Sequence, residues 1–121
     1  MRVLIVDDHR FFRQALRLLL RKHVLMDEAA GVEEAMTCLE SERYGIVVTD
    51  ERMTDGSGRE LLERIRERGL ACRRVLMSAF DIPADDDPAY ERFFEKPDAL
   101  RDLVHWIKGA ALASKGLPDP H

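Results

Sequence analysis

Short apolar runs alternate along this chain with longer segments of helical periodicity, and this alternation constrains the fold more than any other feature. The clearest runs lie at residues 2–6, 45–49 and 74–78, and weaker runs lie at 24–30 and 92–95. Runs that are apolar on both faces are typical of buried strands in a parallel sheet. The sequence therefore predicts five strands with helical segments between them.

Four helices are predicted, over residues 10–22, 32–42, 59–68 and 98 to about 114. Parallel strands need crossover connections, so the alternation predicts an α/β fold with one doubly wound parallel sheet and helices on both faces. The connection 79–90 is the exception, because it is short and contains two prolines. A fourth crossover helix is therefore expected to be shortened or absent.

Length and charge exclude several functional classes. The 121 residues predict one domain over 1–114, followed by 115–121 as a tail or the start of a linker. No uncharged run exceeds 6 residues, whereas a membrane helix needs about 20 apolar residues, so membrane insertion is not expected. A carboxylate pair by residue 7 argues against a signal peptide and predicts a cytoplasmic protein. The net charge of -4 predicts no direct nucleic-acid contact.

Polar side chains follow four of the five predicted strands, at the point where each strand ends. Asp7 and Asp8 follow the first strand and Asp50 the third, while Ser78 ends the fourth and Lys96 follows the fifth. Ligands of open parallel sheets bind beyond the carboxyl ends of the strands. We therefore expect these five side chains to converge at one edge of the sheet.

The three aspartates predict a cation site. Carboxylates about 4 Å apart repel by ~4 kcal/mol per pair at an effective dielectric near 20, which a marginally stable domain does not tolerate without a counter-charge. An all-oxygen ligand set suits Mg²⁺. Zinc is disfavoured because no His or Cys is expected in the cluster, and His9 is interpreted as an ordinary polar residue of the first helix. Taken alone, Asp7 and Asp8 fit a helix N-cap equally well, but their coincidence with Asp50 and Lys96 favours a site.

The residues at this edge resemble the response-regulator receiver domain of two-component signalling, the CheY-like family, over residues 2 to about 113. The shared pattern, in the family's order, is Asp7-Asp8, Asp50 with Met53 and Gly58, Ser78 with Ala79, and Lys96 with Pro97. The resemblance implies a flavodoxin-like sheet of strand order 2-1-3-4-5. It also implies a protein that is not an enzyme beyond its own phosphotransfer and autodephosphorylation.

A phosphotransfer mechanism follows from the resemblance. Asp50 would be the phosphoacceptor, taking a phosphoryl group from the phosphohistidine of a histidine kinase or a phosphotransfer protein. The Mg²⁺ ligands would be Asp7, Asp8, Asp50 and the backbone carbonyl of Arg52. Lys96 would pair with Asp50 and then with a phosphoryl oxygen.

The resemblance also implies a conformational switch and a docking surface. Ser78 would be the switch hydroxyl, and Phe93 would be the aromatic residue that rotates with it, so that a partner-binding surface changes. The kinase would dock on a surface that includes Phe11, Arg13, Arg17, Leu18 and Pro97. An arginine stripe on a helix is more often simply a solvated face, and that interpretation of Arg13 and Arg17 is retained beside the docking one.

Two alternatives remain beside this interpretation. The shortened connection 79–90 falls where the family normally has its output and dimerisation face, so the chain could be a receiver-fold interaction module that works without phosphorylation through this region. The downstream protein partner and homodimerisation are left open. An aspartyl-phosphate hydrolase is disfavoured, because such enzymes usually carry a second Asp where this chain has Arg52.

Overall fold

A computed structural model describes residues 1–79, 87–96 and 99–116 of the chain. In chain order the elements are β1 (Arg2–Val6), α1 (Arg10–Leu20), β2 (Leu25–Ala29), α2 (Val32–Ser41), β3 (Ile46–Asp50), β4 (Arg52–Met53), β5 (Gly56–Ser57), α3 (Gly58–Glu67), β6 (Arg73–Ser78), β7 (Arg92–Glu95) and α4 (Ala99–Ser114). The predicted strands and helices are all present, with ends that differ by no more than two residues. None of the helices in the described ranges is long and apolar enough to cross a membrane.

The main sheet has five parallel strands in the order β2-β1-β3-β6-β7. Since β6 and β7 are the fourth and fifth predicted strands, this is the expected order 2-1-3-4-5, and the predicted fold class is confirmed. Leu4 in β1, the strand between β2 and β3, pairs with Asp27 of β2 and Val47 of β3. Ser78 pairs with Glu95 at the other side, so β6 and β7 end side by side.

Two hydrophobic clusters cover the two faces of the sheet. Val3 and Ile5 of β1 pack with α1 and α4, while Leu4 and Val6 pack with α2 and α3. Because successive side chains of a strand point to opposite faces, a strand covered on both sides must be apolar throughout. Each fully buried aliphatic side chain contributes about 1.5–3 kcal/mol of transfer free energy. This double burial explains the uninterrupted apolar runs of the sequence.

The connection between β6 and β7 is described in part. Ala79 and residues 87–91 contain no helix, whereas residues 80–86 lie outside the described part of the chain. Arg74 Nε donates a hydrogen bond to the carbonyl oxygen of Ala89 at 2.9 Å, and Asp87 is paired with Arg59 of α3. Ala89 itself is fully buried. The residues that precede β7 are thus joined to β6 by a hydrogen bond and to α3 by an ion pair.

Candidate functional site

The carboxyl ends of β1, β3 and β7 bring three carboxylates and one ammonium group together. Lys96 Nζ lies 2.6 Å from Asp7 Oδ2 and 3.6 Å from Asp50 Oδ1. One oxygen each from Asp7, Asp8 and Asp50 belongs to a group of atoms that all lie within 4.8 Å of one another. The predicted convergence of these four side chains is therefore present, although the shorter contact of Lys96 is with Asp7 and not with Asp50.

Ser78 lies at the same edge, at the end of β6. The residue is 1% exposed, and its carbonyl oxygen accepts a hydrogen bond from the backbone N–H of Lys96 at 3.0 Å. This backbone bond ties the end of β6 directly to the residue that carries the ammonium group. The fifth predicted site residue is therefore also at the edge, and its switch role stays a prediction.

Burial sets the electrostatics of Asp50. The residue is only 6% exposed, and loss of solvation raises the pKa of its carboxyl above the ordinary value for an aspartate. The ammonium of Lys96 opposes this rise, and the carboxylates of Asp7 and Asp8 add to it. Asp50 is thus a buried acid whose ionised form needs additional positive charge.

A histidine also belongs to the cluster. His9 is the N-cap residue of α1 and makes no side-chain capping bond. Its Nδ1 lies 3.0 Å from Asp7 Oδ1, with hydrogen-bond geometry, and 3.2 Å from Asp8 Oδ1. His9 is therefore grouped with Asp7, Asp8 and Asp50 as a residue that could hold a metal. The premise that no histidine joins the cluster was wrong, whereas the interpretation of His9 as an ordinary polar residue and not a ligand stays a prediction.

Asp8 offers an oxygen atom that could be a ligand of a cation. Its Oδ1 is buried and accepts no hydrogen bond within the described residues, since His9 Nδ1 is bonded to Asp7 instead. A buried carboxylate oxygen without a donor costs free energy unless a cation or water satisfies it. The carboxylate oxygens of Asp7, Asp8 and Asp50 lie close enough together to hold a hard divalent cation such as Mg²⁺.

The backbone after Asp50 is held by a short hairpin and a close contact. Strands β4 and β5 pair antiparallel, and Gly58 donates a backbone hydrogen bond to the Glu51 carbonyl oxygen at 2.9 Å. A Cβ atom on Gly58 would lie 2.0 Å from the Asp50 carbonyl oxygen, so only glycine fits here. Arg52 lies in β4, and the ligand role of its carbonyl stays a prediction.

An aromatic ring supports Lys96. The ammonium nitrogen lies 4.3 Å from the centroid of the Phe12 ring, within the range of a cation–π interaction. The amphipathic pattern places Phe12 on the inner side of α1, but nothing in the sequence indicates that it lies against Lys96. Phe12 is thus a site residue that the sequence analysis missed, whereas His9 could have been noticed from its position directly after Asp7-Asp8.

The predicted switch aromatic, Phe93, is half-buried in β7. Its ring centroid lies 6.1 Å from that of Tyr90, with the two rings tilted by 46°. In register it pairs with Leu76 of β6. Strand β6 lies between β7 and β3, so Phe93 is two strands away from Asp50, and its movement stays a prediction.

Two apolar residues of the predicted docking surface on α1 are exposed. Phe11 is 84% exposed and Leu18 is 67% exposed. Arg13 and Arg17 instead contact both oxygens of Glu28 in β2, at 3.1 and 2.7 Å. The two arginines therefore belong to an ion-paired network with the neighbouring strand, and the docking role stays a prediction. Pro97, the remaining predicted member, lies outside the described residues.

The chain is similar in sequence to known response regulators. The family model described as "Response regulator receiver domain" matches residues 3–108. The response regulator protein PilR of Pseudomonas aeruginosa is 37% identical over 85% of this chain, and the photosynthetic apparatus regulatory protein RegA of Cereibacter sphaeroides is 26% identical over 98%. The chain spans 25% and 65% of these two proteins.

A solved structure shows the same arrangement of the chain. The response regulator protein TrrA of Thermotoga maritima, in complex with Mg(2+)-BeF, is 27% identical and superposes with a TM-score of 0.77. The match covers 88% of this chain and 96% of that one. The likeness thus extends over nearly all of the TrrA chain.

Proposed function

This chain belongs to the response regulator receiver domain family of two-component signalling, and we propose that its Asp50 accepts a phosphoryl group from the phosphohistidine of a histidine kinase or a phosphotransfer protein. The observation that carries the proposal is the position of Lys96 Nζ, 3.6 Å from Asp50 Oδ1 and hydrogen-bonded to Asp7. A buried carboxylate with an adjacent ammonium group and two further carboxylates provides a nucleophile, a charge partner and cation ligands in one place.

The transfer is a substitution at phosphorus. A carboxylate oxygen of Asp50 attacks the phosphorus atom, the new P–O bond forms, and the P–N bond to the donor imidazole breaks. The bonding electron pair stays on the imidazole nitrogen, which takes up a proton from solvent. Lys96 lies close enough to Asp50 to contact a phosphoryl oxygen, where negative charge concentrates during transfer.

Mg²⁺ is the proposed cofactor. Asp7, Asp8, Asp50 and the backbone carbonyl of Arg52 would hold it, and the buried, unbonded Oδ1 of Asp8 supports this assignment. When bound, the ion supplies positive charge to the phosphoryl oxygens. The TrrA relative was solved with Mg(2+)-BeF, which is consistent with such a site in this family.

Signal output is proposed to depend on Ser78 and Phe93. Ser78 would turn its hydroxyl toward a phosphoryl oxygen, and Phe93 would repack beside it. These movements would shift the population between two conformations that present different partner-binding surfaces. The kinase would dock on α1 through the exposed Phe11 and Leu18, with Arg13, Arg17 and Pro97 nearby. The outcome is binding to a downstream protein.

The proposal also covers the domain boundaries, the chemistry of the chain and its cellular location. We place the receiver domain at residues 1–114, since α4 ends at Ser114, with 115–121 as a tail or linker. The only chemistry we propose is transfer to Asp50 and loss of the phosphoryl group from it. The protein and its proposed phosphoryl donor would meet in the cytoplasm.

Intact-mass spectrometry after incubation with acetyl phosphate tests the proposal. The parent chain should gain one phosphoryl group with Mg²⁺ and none with a chelator, and Asp50→Asn should gain none. Asp102→Asn, which removes an exposed aspartate on α4, is the matched control and should be phosphorylated like the parent. No gain by the parent in the presence of Mg²⁺ would overturn the proposal and favour the interaction module that works without phosphorylation.

A further inference from the structure

We propose that His9 is a nitrogen ligand of the cation site, and that its imidazole raises the affinity of this site for a first-row transition-metal cation such as Ni²⁺ more than its affinity for Mg²⁺. The juxtaposition of His9 Nδ1 with the carboxylates of Asp7 and Asp8 carries this inference. It rests on the proposed function, because it concerns the cation site of that function.

The position of the imidazole is defined by backbone and side-chain contacts. The backbone N–H of His9 donates a hydrogen bond to Asp7 Oδ1 at 2.9 Å, and its Nδ1 contacts the same oxygen at 3.0 Å. The Nδ1 atom also lies 3.2 Å from Oδ1 of Asp8, the buried oxygen without a hydrogen bond. The nitrogen thus faces the same space as the carboxylate oxygens that would hold a cation.

Ligation requires that Nδ1 carry no proton. In the neutral ring that binds a metal through Nδ1, the proton is on Nε2. The His9 side chain is 70% exposed, so Nε2 can exchange its proton with water. Asp7 keeps a donor when this contact is lost, because Lys96 Nζ remains 2.6 Å from its other oxygen.

An added imidazole changes which cation the site prefers. Carboxylate, carbonyl and water ligands suit Mg²⁺, whereas imidazole suits Zn²⁺, Cu²⁺, Fe²⁺ and Ni²⁺. Divalent affinity at mixed nitrogen and oxygen sites rises from Mn²⁺ through Ni²⁺ to Cu²⁺. His9 should therefore add affinity for Ni²⁺ while adding little for Mg²⁺.

Isothermal titration of the full 121-residue chain with Mg²⁺ alone and with Ni²⁺ alone tests this inference. In His9→Phe we expect the Ni²⁺ affinity to fall by about tenfold or more, the scale on which metal-site contacts act, and Mg²⁺ affinity to stay within about threefold. His23→Phe, which removes an exposed histidine beyond the other end of α1, is the matched control and should change neither. His9→Asn keeps a good N-cap residue and replaces His9→Phe if circular dichroism shows that the latter is unfolded.

A spectroscopic readout separates ligation from indirect effects. With Co²⁺, the parent chain should show an exchangeable imidazole N–H proton resonance shifted by the paramagnetic ion, and His9→Phe should lack it. If His9→Phe and His9→Asn both leave the Ni²⁺ to Mg²⁺ affinity ratio unchanged, His9 is not a ligand and the inference is overturned. If the parent binds neither cation, the metal part of the proposed function fails with it. Phosphoryl gain at Asp50 with and without chelator tests that function separately.

Discussion

Gly58→Ala should displace the end of β3, which carries the proposed phosphoacceptor Asp50, without changing any charged side chain. The new Cβ would lie 2.0 Å from the backbone oxygen of Asp50 and 2.9 Å from Thr49 Cγ2. Ordinary van der Waals contact begins at 3.4 Å, so the start of α3 and the end of β3 must separate by about 1.4 Å. The obstacle is buried backbone, which cannot rotate away as a side chain can.

The cost of this separation can be worked out from the contact. Inserting a methyl group into a packed interior costs about 1–3 kcal/mol, and a clash with backbone belongs at the upper end. Replacing glycine by alanine also reduces the entropy of the unfolded chain, and this effect offsets about 0.4–1 kcal/mol of the lost stability. We expect the free energy of unfolding of Gly58→Ala to fall by about 2 kcal/mol, measured by urea titration.

Phosphoryl uptake should suffer more than stability. A displacement of about 1 Å at a reacting group can cost about 10²-fold in rate, and Asp50 is directly joined to the displaced carbonyl. Gly45→Ala is the matched control, because its Cβ would lie 3.1 Å from Cγ of the flexible Met1 side chain, which can move. Should Gly58→Ala be as stable as the parent and take up phosphoryl from acetyl phosphate at the parent rate, this account of the close contact is refuted.

Three further variants test separate contacts of the site. Asp50→Asn removes one of three clustered carboxylates, so without metal it should increase the free energy of unfolding at pH 7 by about 1 kcal/mol; a loss of stability in urea titration would contradict this. Phe12→Leu removes the ring beside Lys96, a contact of about 0.5–2 kcal/mol, and should slow phosphoryl uptake severalfold, with an unchanged rate as the contrary result. Hydrogen bonding to Arg59 lowers the pKa of Asp87, so this pair stabilises the fold above the unfolded carboxyl pKa and is lost as the pH falls through the folded one. Asp87→Asn should thus destabilise the chain at pH 7 but not at low pH, and a pH-independent loss in urea titrations would argue against the pair.

The fold could be predicted from the sequence because its signals are local. The run Val3–Val6 is apolar at every position, since alternate residues enter the two clusters on opposite faces of the sheet. The order of polar residues after each strand then placed Asp50 and Lys96 at one edge. These inferences need only strand periodicity and the rule that parallel strands end together.

The missed contacts depend on side-chain geometry between elements. The amphipathic pattern of α1 assigned Arg13 and Arg17 to an outer face, but could not show that Glu28 of β2 reaches both of them. His9 was assigned to the helix, yet it is the N-cap residue that precedes the helix, and both its backbone N–H and its Nδ1 lie beside Asp7 Oδ1. The contacts of Arg13 and Arg17 with Glu28 are decided by packing between segments that are distant in sequence, and the helical periodicity does not indicate them.

The charges at the sheet edge account for the order of events in the proposed mechanism. Asp7, Asp8 and Asp50 with Lys96 leave two net negative charges when all are ionised, and one divalent cation neutralises them. Phosphorylation then replaces a carboxylate with an acyl phosphate dianion, which adds one negative charge at Asp50. This added negative charge would attract the ammonium group of Lys96 away from Asp7 and toward the phosphoryl oxygens. Ser78, 1% exposed at the end of β6, is joined through its carbonyl to the backbone N–H of Lys96. In the proposed mechanism, movement of either residue would therefore be transmitted to the other, and the signal would leave the site along β6 and β7.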